Sequence, residues 1–287
     1  MKQLKIFLTV FIAFFVLIPV NAQQRYDHSA AEELGWRLAA QAYTFRLFTF
    51  EETLDKLNEL GLKYVEMYPG QTIGAGIEGT THYSMDTQTR QKLKDLLDSK
   101  GIRLVNYGVA GANTAEEWNQ LFEFAYDMGI ESIMINPRAK HFDLIEELCE
   151  KYGINVGIHN HPKPRSDFWN PDYAMAQLAG RSRKMGICAD IGHWGRSGVD
   201  PLEAIKNTEG RIISLHFKDL NHYGEGSHDV PWGAGVCNIA GIMHELKRQG
   251  FEGVFSIEYE HNWEDSVPEI AESIAYFNRV AFWLTSE

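Results

Sequence analysis

Imidazole and carboxylate side chains recur where four consecutive β-rich segments of the chain end. These segments end in His159-Asn160-His161, Asp190-Ile191-Gly192-His193, His216-Phe217-Lys218-Asp219 and Glu258-Tyr259-Glu260. Side chains alternate between the two faces of a strand, so His159 and His161 share a face, and so do Glu258 and Glu260. Neutral imidazole and carboxylate together suit divalent Mn, Fe, Co or Zn. The pattern therefore indicates a site for one divalent metal ion.

A single histidine at such a position is more often a hydrogen-bonded, partly buried residue than a ligand. Here the same residue types end four successive segments, which makes chance placement a poor explanation. Cysteine has no part in the pattern, because Cys149, Cys188 and Cys237 are widely spaced and form no C-x-x-C pair. We expect these cysteines to be small core residues, with one disulfide left open in an oxidising compartment.

Short β-rich runs alternate along the chain with longer amphipathic runs, and these elements would position the residues named above. Most of the amphipathic runs end in glycine. The predicted strands are 36–45, 62–68, 102–109, 131–136, 155–161, 185–191, 212–218 and 253–259. The predicted helices are 49–60, 86–99, 115–128, 142–152, 171–178, 201–206, 239–249 and 267–284. Eight strand–helix units in about 250 residues predict a single-domain α/β fold, the (β/α)8 TIM barrel.

An open doubly wound sheet is the alternative architecture, but no Gly-x-Gly-x-x-Gly turn follows a strand to mark a dinucleotide site. In a (β/α)8 barrel the active site lies at the C-terminal ends of the strands. The histidines and carboxylates stand at that end, so the predicted fold and the predicted metal site agree.

The first 22 residues differ from the rest of the chain. Lys2 and Lys5 precede an apolar run over 6–20, and Val20-Asn21-Ala22 supplies a small-x-small site. This order is typical of a cleaved secretory signal, and the apolar run is short for a membrane span of about 20 residues. We expect a signal peptide at 1–22, a barrel domain at 23–287, and a periplasmic or secreted protein with no membrane association after cleavage.

Composition narrows the class of protein. The 287 residues are 44% hydrophobic, which excludes a disordered or fibrous chain. The formal net charge of −12 and the lack of a Lys/Arg cluster argue against a nucleic-acid partner, which would need a basic surface. A small-molecule substrate is expected instead, and a homo-oligomer is compatible with the sequence.

From residue 153 to residue 262 the sequence resembles the xylose isomerase-like barrels, and a weaker resemblance extends over essentially the whole mature chain. This family includes sugar-phosphate isomerases, ketose epimerases, inosose dehydratase-like enzymes and metal-dependent endonucleases. The matching motifs are Asp190-x-x-His193, His216 in Ser-Leu-His-Phe-Lys-Asp, Pro231-Trp232-Gly233-Ala234-Gly235, Gly250-Phe251-Glu252-Gly253 and Ser256-Ile257-Glu258.

The resemblance implies a metal site formed by His159, Asp190, His216 and Glu258. One position departs from the family, because many members have a Glu at the end of the fifth strand that both binds the metal and moves a proton. His161 is the alternative ligand there if the alignment shifts by two residues. The usual pair of opposed Glu acid/bases is broken in either case, although His is a competent general base near neutral pH. We expect Glu258 and His161 to transfer protons.

Four further residues are expected to bind substrate. His193 belongs to the family's sixth-strand motif. Glu66, at the end of the second strand, could contact a sugar hydroxyl or be a salt-bridged strand-end carboxylate, with neither preferred. Lys218 could meet a carbonyl or anionic group and is expected to reach the pocket only if the strand bends. Trp232 could stack on a sugar face or simply pack.

These features predict an enzyme that deprotonates a free or keto sugar beside its carbonyl and stabilises the enediolate with a divalent metal. Reprotonation gives isomerisation or epimerisation. Loss of a β-substituent would instead give a keto-glycoside lyase or hydratase, which is the alternative. A non-catalytic carbohydrate-binding protein is the alternative from another class, and phosphodiester cleavage is disfavoured by the acidic chain.

Overall fold

The computed structural model describes residues 27–137 and 139–286, and the predicted signal peptide therefore lies outside the described residues. The described strands are β1 Trp36–Gln41, β2 Tyr64–Met67, β3 Thr72–Gly74, β4 Ile77–Thr80, β5 Arg103–Ala110, β6 Ser132–Ile135, β7 Asn155–His159, β8 Met185–Asp190, β9 Ile212–Phe217, β10 Asp219–Leu220, β11 Asp229–Val230 and β12 Gly253–Ile257. Eight of them close a parallel barrel in the order β1-β12-β9-β8-β7-β6-β5-β2. The (β/α)8 prediction is confirmed.

Helices cover the outside of the barrel. They are α1 Ser29–Glu33, α2 Phe50–Glu59, α3 Thr87–Lys100, α4 Ala115–Asp127, α5 Phe142–Tyr152, α6 Pro171–Leu178, α7 Ile191–Arg196, α8 Pro201–Asn207, α9 Ile239–Arg248 and α10 Val267–Thr285. Two begin at capping boxes, Thr49 with Glu52 and Thr114 with Glu117, which satisfy backbone N–H groups that a helix start leaves unpaired. None of the described helices is long and apolar enough to span a bilayer.

The core lies between the barrel strands and the surrounding helices. Trp36 and Phe277 both pack on Phe255, with ring centroids 5.0 and 5.1 Å from it. The three cysteines are buried and free, so the expected core role is confirmed and none of them forms a disulfide.

Strand register brings the ends of neighbouring strands to a common level. Asp190 at the end of β8 pairs with His216 of β9, and Ser256 of β12 pairs with the same histidine. His159 of β7 pairs with Cys188, two residues before Asp190. The pairing therefore aligns three of the sequence-predicted ligands at the C-terminal end of the barrel.

Several predicted strands extend too far at this end. Residues 42–45 form a 3-10 turn rather than the end of β1, because the Gln41 side chain accepts the Tyr43 N–H and turns the chain. The predicted strands at 155–161, 185–191, 212–218 and 253–259 stop at residues 159, 190, 217 and 257. The small hairpins β3–β4 and β10–β11 lie in the loops that follow β2 and β9, and neither was predicted.

Candidate metal centre

Four side chains meet at the C-terminal end of the barrel. His159, Asp190, His216 and Glu258 each offer one ligand atom, and these atoms lie within 4.8 Å of one another. All four residues are buried. Two imidazoles and two carboxylates form a cluster that could hold a divalent metal ion, and their identities alone leave the metal open among Mn, Fe, Co and Zn.

The two carboxylate oxygens of Asp190 have different roles, one in capping a helix and the other in the cluster. Oδ1 accepts the backbone N–H of His193 at 2.6 Å and so caps helix α7. Oδ2 lies 3.3 Å from His159 Nε2. The helix cap fixes the carboxylate's orientation, which leaves Oδ2 directed into the cluster.

His216 is oriented from behind by Glu66. The Nε2 atom lies 2.7 Å from Glu66 Oε1, and both side chains are fully buried. Glu66 also accepts hydrogen bonds from Ser256 Oγ at 2.6 Å and Gln41 Nε2 at 2.9 Å. A carboxylate that engages one imidazole nitrogen fixes the tautomer and ring orientation of a metal-binding histidine. Glu66 is not among the residues that line the pocket, and the structure contains the strand-end pairing that was its alternative.

Two buried atoms of the cluster have no hydrogen-bond partner. His216 Nδ1 and Glu258 Oε2 face each other at 3.1 Å, but neither completes a hydrogen bond. Lys218 Nζ approaches the same Glu258 oxygen at 2.6 Å as an ionic contact. Buried polar atoms are nearly always satisfied, so the His216 nitrogen that completes no hydrogen bond is a departure that a bound cation would resolve. The residues present thus fit a divalent metal.

The electrostatics of the cluster favour ionised carboxylates. Burial opposes ionisation of Asp190, but the neighbouring His193 and Lys218 outweigh it and hold the Asp190 pKa well below its usual range. Burial is likewise outweighed at Glu258, whose pKa is lowered by Lys218 and His216. Both carboxylates are therefore charged near neutral pH and available as ligands.

A pocket of about 250 Å³ opens directly above the cluster. It is lined by Gln41, Tyr43, Tyr68, Pro69, Gly108, Val109, His159, His161, Arg165, His193, Glu258 and Glu260. These residues lie at or follow the C-terminal ends of β1, β2, β5, β7, β8 and β12. The volume lies below the roughly 300–1,000 Å³ typical of sites for drug-sized ligands, which suits a small substrate.

His161 and His193 reach this pocket but stand outside the four-residue cluster. His161 Nδ1 lies 3.4 Å from His159 Nδ1, beyond the end of β7. Burial, assisted by neighbouring His159, lowers the His161 pKa to about 4. Burial also holds the His193 pKa well below its usual range. Both imidazoles are therefore neutral at pH 7 and can accept a proton or a hydrogen bond.

Lys218 differs from the sequence expectation. It follows His216 by two positions, so the two side chains share a face by simple alternation, and the expected need for a strand bend was wrong. The side chain is 0% exposed, and its ammonium contacts carboxylates rather than the pocket. Lys218 is therefore not among the residues that line the pocket.

Trp232 also lies away from the pocket. It is buried, and its ring centroid lies 5.0 Å from Phe217 and 5.9 Å from Phe277. The structure therefore places Trp232 in core packing, which was the alternative given for it.

Sequence analysis did not identify the residues that support the four-residue cluster without belonging to it. Asn160 bonds both backbone groups of Asp190, with Nδ2 to the carbonyl oxygen and Oδ1 to the N–H, each at 2.8 Å. Arg196 joins Asp229 at 2.5 Å and Glu260 at 3.0 Å. The His159-Asn160-His161 spacing could have indicated Asn160, since its side chain points away from the two histidines. No local pattern marks Arg196 or Asp229.

Comparisons with known proteins agree with the fold. The chain matches an inosose dehydratase of Geobacillus thermodenitrificans at 23% identity over 252 residues, 70% of this chain and 81% of that protein. It covers only 42% and 32% of the lengths of the first two curated relatives.

Solved structures give a fuller match. The crystal structure of a putative uncharacterized protein from Parabacteroides distasonis is similar with a TM-score of 0.70 and 35% identity, covering 85% of this chain and 99% of that one. A D-tagatose 3-epimerase-like protein shares the fold with a TM-score of 0.66 and 19% identity, over 85% and 98% of the two chains. Residues 54–280 match the profile of the xylose isomerase-like TIM barrels. The chain therefore belongs to the xylose isomerase-like TIM barrel family.

Proposed function

We propose that this protein is a divalent-metal-dependent enzyme of the sugar isomerase and epimerase type, which removes a proton beside the carbonyl of a free or keto sugar. The observation that carries the proposal is the buried cluster of His159, Asp190, His216 and Glu258, whose ligand atoms converge beside an open pocket and include a His216 Nδ1 that completes no hydrogen bond. Relatives that include an inosose dehydratase and a D-tagatose 3-epimerase-like protein support a sugar-modifying enzyme.

A divalent ion in this cluster would polarise the substrate carbonyl and make the neighbouring C–H more acidic. His159, Asp190, His216 and Glu258 hold such an ion. His161, neutral at pH 7 and lining the pocket, takes the substrate proton on a ring nitrogen. Glu258 serves as a ligand and as the second proton-transfer group, because it belongs to both the cluster and the pocket lining.

A keto-glycoside lyase or hydratase is the second candidate on the same site. The carboxylates of the pocket, Glu258 and Glu260, both follow β12, while the end of β7 supplies His159 and His161. Epimerisation by two opposed carboxylates is therefore not available, whereas elimination needs one base and one proton donor beside a polarised carbonyl. The inosose dehydratase relative favours the same reaction class.

The proposed setting is the periplasm or the extracellular space, with a small sugar as partner and neither nucleic acid nor membrane. The predicted signal at 1–22 is the basis for this localisation. Because sugar phosphates are mainly intracellular, free or glycosidic sugars are the proposed substrates. A non-catalytic sugar-binding protein would have no need of an intact ligand set.

Elemental analysis of the purified protein beside a His216→Ala variant tests the proposal. We expect about one equivalent of Mn, Fe, Co or Zn in the wild type and loss of that metal in the variant. The same samples are then incubated in D2O with D-fructose, D-tagatose and methyl 3-keto-glucoside. Deuterium entering the carbon beside the carbonyl reports proton removal, and product analysis separates isomerisation from elimination.

Two outcomes would oppose the proposal. Absence of metal from the wild type, even after reconstitution, would favour the sugar-binding alternative. Metal content and deuterium exchange that survive His216→Ala would show that the ligand assignment is wrong.

A further inference from the structure

Lys218 places a buried positive charge against the candidate metal centre. Its ammonium lies 2.9 Å from Asp190 Oδ2, 2.6 Å from Glu258 Oε2 and 2.8 Å from Glu260 Oε2. The side chain is 0% exposed and is not among the residues that line the pocket. Two of the three carboxylates belong to the four-residue cluster. The ammonium therefore competes with a metal ion for the charge of Asp190 and Glu258.

The fold provides dedicated space for the lysine stem. A Cβ added at Gly192 would lie 2.8 Å from Lys218 Cδ and 2.9 Å from its Cβ, closer than real Cβ atoms approach a neighbour. Gly192 belongs to α7, the helix that Asp190 caps. The helix that orients the Asp190 carboxylate is thus also the one that leaves room for Lys218, so the ammonium and the carboxylate are positioned together.

Lys218 and a neighbouring arginine offset part of the negative charge at the centre. The network contains four carboxylates, those of Asp190, Asp229, Glu258 and Glu260, and two side-chain cations. One of these cations is Lys218, and the other, Arg196, bridges Asp229 and Glu260. Carboxylates outnumber these cations, and Glu66, which pairs with the ligand His216, adds a further buried carboxylate. Uncompensated buried charge is costly, so the positive charge of Lys218 reduces the number of metal ions that the centre accepts.

We infer that Lys218 acts as a fixed positive charge beside the candidate metal site and limits the cluster to a single divalent metal ion. The inference rests on the proposed metal dependence and assigns Lys218 a role in setting the metal stoichiometry in place of a contact with substrate. Without the ammonium, Asp190, Glu258 and Glu260 would retain excess negative charge. Their oxygens, which now converge on Nζ, would bind a second divalent ion through carboxylate ligands.

Metal stoichiometry of the Lys218→Met variant tests the inference without any sugar substrate. Methionine keeps the length and burial of the stem but removes the charge. Metal-free wild type and variant are titrated with MnCl2 by calorimetry, and bound Mn is then counted by elemental analysis. We expect about one equivalent in the wild type and two in Lys218→Met.

Two matched variants test whether the positive charge of Lys218 sets the number of bound metal ions. Lys218→Arg keeps the cation and should bind one equivalent. The double variant Lys218→Met/Glu260→Gln removes one carboxylate of the second ion and should also return to one equivalent. Circular dichroism confirms folding in each case, and Lys218→Gln replaces Lys218→Met should the latter fail to fold.

One equivalent in the folded neutral variants, or two in the wild type, would overturn the inference and leave the proposed function standing. A wild type that binds no Mn would contradict the proposed function and the inference together.

Discussion

Glu66 Oε1 lies 2.7 Å from His216 Nε2, and neither side chain is exposed to solvent. Glu66 also receives hydrogen bonds from Gln41, Asn106 and Ser256, so its carboxylate is held on several sides. With Nε2 engaged, His216 presents Nδ1 to the metal cluster. The position of a predicted ligand is thus set by a residue from a strand on the other side of the barrel.

The first prediction concerns this pair. Glu66→Gln should weaken Mn binding about 10- to 100-fold, because the amide no longer fixes the imidazole tautomer as a carboxylate does. Calorimetric titration of the metal-free protein measures the change. Glu245→Gln is the control, since it removes a carboxylate that pairs with Arg248 outside the centre. Equal Mn affinities in the two variants would contradict the orienting role of Glu66.

The second prediction concerns metal removal. A metal that binds only the folded state stabilises it by about 2.7 kcal/mol at a free concentration 100 times its dissociation constant. For a domain of this size, that corresponds to a rise in Tm of roughly 5–10 °C. Differential scanning calorimetry before and after chelation should show this shift in the wild type and none in His216→Ala. A wild-type Tm that does not change when the metal is removed would contradict metal binding by the folded state.

The third prediction concerns Asn160. Asn160→Ala leaves the backbone N–H and carbonyl of Asp190 without their 2.8 Å partners. Two unsatisfied buried groups should lower the free energy of unfolding of the metal-free protein by about 2–4 kcal/mol. Urea denaturation measures the loss.

The control for Asn160 is Asn119→Ala, which removes an exposed side-chain hydrogen bond to Ala115 on α4. Its effect should stay within about 0.5 kcal/mol. An Asn160→Ala variant that unfolds at the same urea concentration as this control would show that the bridge to Asp190 contributes little.

The barrel was predictable because each of its units repeats the same local signals. Helix starts such as Thr49 and Thr114 have the capping-box spacing, and helix ends such as Gly101 and Gly153 adopt left-handed backbone angles. Helix α7 was not predictable by these rules. It contains Gly192 and Gly195, which disfavour a helix by propensity. The helix nevertheless forms in the structure, where tertiary contacts stabilise it.

The candidate site was predictable to the extent that it lies at strand ends. The ends of the β-rich runs place His159, Asp190, His216 and Glu258 at one end of the barrel, and the resemblance to the xylose isomerase-like barrels selects these four as ligands. Residues that act across the barrel leave no such trace, since Glu66 and His216 are 150 positions apart in the chain. The burial of Lys218 likewise depends on Gly192 and on carboxylates from three segments.

The last prediction concerns the opposite end of the barrel. Glu131 lies just before β6. Its carboxylate accepts two hydrogen bonds from Arg37, at 2.8 and 2.7 Å, and a third from Arg103 at 2.7 Å. The bond from Arg37 outweighs burial and lowers the Glu131 pKa below its ordinary value of 4.5. The stabilisation is therefore present above pH 4.5 and is lost as pH falls through the lowered value.

Glu131→Gln should accordingly cost about 1 kcal/mol of unfolding free energy at pH 7, a modest figure because these side chains are partly exposed to solvent. The difference from the wild type should shrink as the pH is lowered from 5 towards 3, which urea denaturation at each pH measures. Mn affinity should not change, because Glu131 lies at the end of the barrel away from the pocket. A difference that grows in acid would mean that the ionised carboxylate is not what stabilises this end of the fold.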